Sequence, residues 1–259
     1  MADPKNGAQE HPLVNILINV LIPVLALSYL SKEPAFQEAL GKAVKPWHIG
    51  PTKALCVALV FPIGYGIWHF VKTRKANFFS ALGLVSVLLT GGLTIFLWNK
   101  DGTVKENAAV LFGLKEASIP FILGLAVIGS HFTPNPLLRL FLYSDSLFDI
   151  QRIENRVAEI DGKASYDRIL FQATLLFAAS FLLSTFMNFG LAMYFLGGLD
   201  HTAANARELY NGQVAKLTGW GFAVIGLPIL VFLFFTLHRL IKGLSKLTGL
   251  KDGDLMHPH

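Results

Sequence analysis

The chain has 259 residues, 53% in the hydrophobic set and 15% charged, against roughly 25% charged in an average soluble domain. A net charge of +5 and an isoelectric point near 9.3 would suit a nucleic-acid binder if the cations formed one patch. Instead the Lys and Arg residues sit in short segments between long apolar runs, so they read as membrane-topology signals and exclude a nucleic-acid surface.

The mean hydropathy of +0.51 is concentrated in runs long enough for spanning helices, which predicts an all-α integral membrane protein. Residues 1–12 read as a tail. The first run, 13–30, carries Asn15 and Asn19 one helical turn apart, and Pro23. A cleaved signal peptide is the competing reading there, but Lys5 is the only basic residue ahead of the run. The second run, 55–71, contains Pro62; the third, 78–98, contains Gly91-Gly92. The fourth, 108–132, is interrupted by Lys115-Glu116 with Pro120 just beyond. A polar connector, 133–168, leads to the fifth run, 169–199, and the sixth, 217–241, has Pro228 near its middle, before a tail at 242–259. The expected organisation is a four-span unit (13–132), the connector, and a two-span hairpin (169–241). Pro62, Gly91, Gly92, Pro120 and Pro228 are the expected helix breaks. Cys56, the single cysteine, lies in the second run and excludes an intrachain disulfide.

Six spans make three hairpins. With the N-terminus inside, thirteen basic residues, among them six of the seven arginines, fall on the cytoplasmic side and nine outside, so both termini are expected in the cytoplasm. Trp47, Trp68, Trp98 and Trp220 fall near run ends, as an interfacial aromatic belt requires. In the connector, Leu140, Leu147, Ile150, Ile153, Val157 and Ile160 follow a helical three-and-four spacing among Asp149, Arg152, Arg156 and Glu159. That pattern predicts a cytoplasmic amphipathic helix lying on the membrane or on the bundle. Its near-balanced charge excludes a polybasic lipid anchor; a solvated connector and a partner-docking element remain open.

Lys115-Glu116 is the sharpest candidate site. If the helix starts near Ala108, the pair lies about 10 Å inside it at 1.5 Å per residue, where a charge costs roughly 2.5–3.5 kcal/mol unless it faces the bundle or water. If the span starts at Ala117, the pair ends an outer loop and Glu116 favours the helix N-terminus. Asn15, Asn19 and Asn188 are candidate binding or relay amides, set against the alternative that they join helices. His69, His131 and His238 each follow a proline in their runs, and interfacial snorkelling is weighed there against metal binding. No His-x-x-x-His, clustered carboxylates, phosphate-binding glycine loop, nucleophile elbow or zinc helix occurs, so no metal, cofactor or catalytic residue is expected.

Residues 77–93 (NFFSALGLVSVLLTGGL) and 114–120 (LKEASIP) resemble an uncharacterised bacterial six-span family often labelled as transporters. More distantly, spans two to four are similar to the intracellular septation protein A family through Gly91, Gly92, Lys115 and Pro120; the sixth span and long connector depart from that pattern. The resemblance implies a bacterial inner-membrane location and a part in envelope maintenance or division. Two functional readings follow. One is a non-enzymatic membrane protein that docks envelope or division proteins; the other is a small secondary transporter using the Lys-Glu pair in a broken helix. The expected partners are membrane lipid, such proteins, and a second copy of the chain.

Overall fold

The computed structural model describes residues 17–73 and 78–256, without the side chains of 19, 20, 69, 70, 72, 73, 78–84 and 87. Among the described residues the fold is all-helical, with two isolated β-bridges. Residues 17–30 form α1, α2 is Pro34–Ala39, α3 Pro51–Thr73, α4 Phe78–Leu97 and α5 Ala108–Ser130. Then come α6 Leu137–Phe141, α7 Ile150–Glu159, α8 Lys163–Leu196, α9 Ala206–Val224 and α10 Gly226–Thr248. Four stretches are long and apolar enough to cross a membrane: Pro51–Trp68, Ala108–Ser130, Lys163–Leu196, and Ala206–Thr248, which comprises α9 and α10. Of the other two expected spans, 13–30 lies partly outside the described residues, and 78–98 coincides with α4, within which Leu88–Leu97 is a shorter apolar helix.

Local chemistry explains these elements. In α1, Pro23 lacks an N–H and its ring crowds the carbonyl one turn back. The chain absorbs this with π-helical turns at Leu17–Leu21 and Ala26–Leu30 on either side of Ile22–Leu25. Of the expected breaks, Pro62, Gly91, Gly92 and Pro120 do not break their helices: α3, α4 and α5 run straight through them. In apolar surroundings a melted turn would expose several backbone groups with no partner, whereas an interior proline frees one carbonyl, so the helix continues. Beside Pro228 the chain does break. α9 ends at Val224 and α10 starts at Gly226, which places Pro228 in the first turn, where its missing N–H costs nothing. The sixth helical stretch also starts eleven residues before the expected 217, because Ala206, Tyr210, Val214 and Leu217 bury one helical face within a segment too polar for a hydropathy window.

The chain divides into two compact units that cut across the expected segments 13–132 and 169–241. Unit 1 is Met1–Lys115 with Phe189–Ala223, and unit 2 is Glu116–Asn188 with Val224–His259. The boundaries fall inside α5 and α8, whose two ends meet different neighbours. In unit 1, α1 and α4 pack on α3, and the core draws Leu27, Leu55, Ala58, Leu97, Phe112 and Tyr210 together. Gly91 marks the closest approach of α4 to α3, since a Cβ there would stand 2.5 Å from the Leu59 Cδ1.

In unit 2 the amphipathic segment of the 133–168 connector packs on its own bundle. Asp149 caps α7 by accepting from the Arg152 N–H at 3.1 Å, and Ile150, Ile153 and Val157 are buried against α10 and its neighbours. Arg156 Nε donates to the Thr248 carbonyl at 3.1 Å, and Arg139 pairs with Glu154 at 2.5 Å. The tail after α10 closes the layer: the Asp149 N–H donates to the Leu255 carbonyl at 3.0 Å, and Phe148 bridges to Met256. Beneath it the Tyr143 hydroxyl lies 3.2 Å from that of Tyr166, and burial pushes the Tyr143 phenol far above its ordinary pKa, so it stays neutral.

Two outcomes are expected. Gly91→Ile should overpack the α3–α4 contact and destabilise unit 1 by about 1–3 kcal/mol, while Gly92→Ile, with nothing within 4 Å of its Cβ, should be tolerated; thermal unfolding in mild detergent separates the two. Val157→Ser should cost about 2–4 kcal/mol by placing a hydroxyl in an apolar core, visible as a lowered unfolding midpoint.

Candidate functional site

The α5 helix begins at Ala108, so Lys115 lies two turns inside a continuous apolar helix, about 10 Å from its start. Of the two placements open in the sequence, the one within the candidate span is found. The Lys115 ammonium is half-buried. It donates to Thr90 Oγ1 on α4 at 2.5 Å and lies 5.6 Å from the centre of the Phe112 ring. A hydroxyl dipole and an aromatic face each stabilise a cation withdrawn from water.

A polar stripe on α4 receives this lysine. Ser86, Thr90 and Thr94 recur every four residues and therefore share a face. The Thr90 hydroxyl donates to the Ser86 carbonyl at 2.8 Å, which leaves its lone pairs for Lys115. One turn further, Thr94, 1% exposed, lies 3.5 Å from the fully buried Tyr210 hydroxyl of α9. The Tyr210 ring meets Phe112 edge-on, with centroids 6.2 Å apart. Lys115, Thr90, Phe112, Tyr210 and Thr94 thus form one polar-aromatic cluster within unit 1.

The start of α9 organises the surrounding end of unit 1, and the sequence reading, which began that span at 217, missed it. Arg207 donates to the Asn99 carbonyl and stands 5.4 Å from the Trp98 ring centre. Glu208 accepts from the Glu33 N–H at 3.1 Å. Asn211, 1% exposed, donates to Ser31 Oγ and to the Pro51 carbonyl, each at 3.0 Å. Above, the connectors after α4 and α8 are tied by the Val104 N–H donating to the His201 carbonyl at 2.9 Å. They surround an open polar bowl of about 700 Å³ that includes Asn99, Lys105, His201 and Thr202. Two Asp-x-Thr turns shape this rim: hydrogen bonds from Thr103 and from Thr202 hold the carboxyls of Asp101 and Asp200 below the usual range.

The other sequence candidates are placed elsewhere. Glu116 follows Lys115 on α5, half-buried, and opens unit 2. Asn188 donates to the Ser184 carbonyl and hydroxyl of its own helix at 2.8 and 3.1 Å, so its amide satisfies α8 itself. Asn15 lies outside the described residues, as do the side chains of Asn19 and His69. His131 in unit 2 is packed between Phe132 and Phe171, with Nδ1 3.3 Å from Thr174 Oγ1; His238 is exposed. Among the described residues no group of three His, Cys, Asp or Glu is placed to hold a metal. The Ser86–Thr90–Thr94 repeat and the Tyr210-Asn211 pair were legible as spacings, but their partners lie 25 to 180 residues away in the chain. Compared with protein-family models, curated proteins and solved structures, the chain has no match.

Asn211→Ala should strand the Ser31 hydroxyl and the Pro51 carbonyl in a buried site and cost about 1–3 kcal/mol, whereas Asn188→Ala should cost no more than about 0.5 kcal/mol. Unfolding of both variants in the same detergent provides the comparison.

Proposed function

We propose that this chain is a six-span inner-membrane permease of bacterial type, with both termini in the cytoplasm, and that Lys115 is the charge that selects an anionic solute or relays a proton. The carrying observation is the ammonium held by Thr90 and Phe112 two turns inside a helix long and apolar enough to cross a membrane. An ionisable group in a span is costly to retain and marks a solute or proton path by default. Lys115 supplies the positive charge, the Thr90 hydroxyl positions it, and Phe112 and Tyr210 line its apolar side. The resemblance to an uncharacterised six-span family often labelled as transporters agrees with this reading. The rival reading, docking of envelope or division proteins through the amphipathic helix, loses support because Val157 and Ile153 are buried within their own unit.

The test is reconstitution of the full chain in liposomes, with inward gradients of small carboxylate and phosphate solutes and a pH-sensitive dye inside. Wild type should show solute or proton flux, and Lys115→Met should reduce it roughly ten- to a hundredfold, the loss expected for a charge-assisted hydrogen bond of about 1.5–3 kcal/mol. Lys115→Arg should retain part of an anion flux while losing proton relay. Equal flux in wild type and Lys115→Met would refute the assignment, and so would the absence of any flux across the solute panel.

A further inference from the structure

A groove of about 680 Å³ runs between α8 and α10, wholly within unit 2. Gly243 brings the two helices together at its floor, where a Cβ would stand 3.2 Å from the Ile169 side chain. One wall is apolar, with Leu175 and Leu176 of α8. The other carries Arg239, Lys242 and Lys246, which lie at three- and four-residue spacings and therefore on one face of α10. Lys242 is already paired with Asp252 at 2.9 Å. Arg239 and Lys246 have no acidic partner among the described residues, which leaves two uncompensated cations beside a hydrocarbon wall.

That combination selects its occupant by chemistry. A free anion would answer the cations and leave Leu175 and Leu176 uncovered; a neutral acyl chain would do the reverse. A molecule with a phosphate head and an acyl tail satisfies both walls. The basic residues occupy the last turns of α10, directly after its exposed apolar stretch with Val231, Phe234 and Phe235, so they stand at the level where lipid headgroups meet hydrocarbon. On α8, the exposed Phe171, Leu175 and Leu182 continue the apolar track. We infer that the groove between α8 and α10 is a binding site for an anionic phospholipid, its phosphate held by Arg239 and Lys246 and one acyl chain lying along Leu175 and Leu176.

The experiment titrates the purified, delipidated full chain in neutral detergent with phosphatidylglycerol, with phosphatidylcholine of the same chains, and with inorganic phosphate, following the unfolding midpoint. Phosphatidylglycerol should raise it at about thirtyfold lower concentration than phosphatidylcholine, from two cations near the headgroup level, and inorganic phosphate alone should not. Arg239→Gln with Lys246→Gln, both at exposed positions, should erase the preference between the two lipids while leaving the lipid-free midpoint unchanged. Leu175→Gln, also exposed, should weaken both lipids alike. An equal response of wild type to the two lipids would overturn the site. A preference that survives the double substitution would overturn it as well, and stabilisation by inorganic phosphate equal to that by phosphatidylglycerol would overturn the lipid assignment.

Discussion

The solvent around the helices is the constraint on which everything else depends. Large apolar side chains face outward along the candidate spans: Phe186 is 67% exposed, Val231 69% and Phe234 62%. In water such a surface would drive aggregation; in hydrocarbon it costs nothing, and the restriction passes to the backbone, whose N–H and C=O groups must pair inside the helix. That restriction explains why α3 and α5 continue through Pro62 and Pro120, and why Pro23 is absorbed by π turns instead of a gap.

The same constraint governs the polar side chains. Thr90, Thr174, Thr185, Thr218, Thr236 and Thr248 each donate to the carbonyl four residues back on their own helix, and Asn188 does likewise through its amide. A hydroxyl satisfied in this way adds little cost at depth and keeps its lone pairs available. Thr90 uses that spare capacity for Lys115, and Thr174 stands within hydrogen-bonding distance of His131. Other polar groups join helices: Asn211 holds the end of α1 and the start of α3 to α9, Lys115 holds α5 to α4, and Thr94 meets Tyr210 between α4 and α9. The charged centre of unit 1 rests on these ties.

Unit 2 solves a different problem. In its connector, α10 and tail, Arg139, Arg152, Arg156 and Lys242 are each paired to an acidic residue at 2.5 to 3.7 Å. These pairs are exposed and weak individually; the stabilisation comes from Tyr143, Phe148, Ile153 and Leu244, which are sealed beneath them. The amphipathic helix is thus a lid on its own bundle, and Arg239 and Lys246 stand on the side of α10 that faces α8.

The sequence alone determined that the chain is helical and suited to a membrane, because length and hydropathy of each run are local properties that hydrocarbon reads directly. It also singled out Lys115, since a charge within an apolar run needs no neighbour to be conspicuous, and its spacing found Ile150, Ile153 and Val157 on the buried face of α7, although Leu140, on the separate helix α6, and Ile160, just past α7, are exposed. What only the tertiary structure decided was partnership: that Lys115 meets Thr90, that Asn211 meets Ser31 and Pro51, that α7 lies on α10, and that α9 starts at Ala206. Each of these depends on which residue of a distant helix arrives opposite, and one helix's periodicity says which face is buried without saying against what.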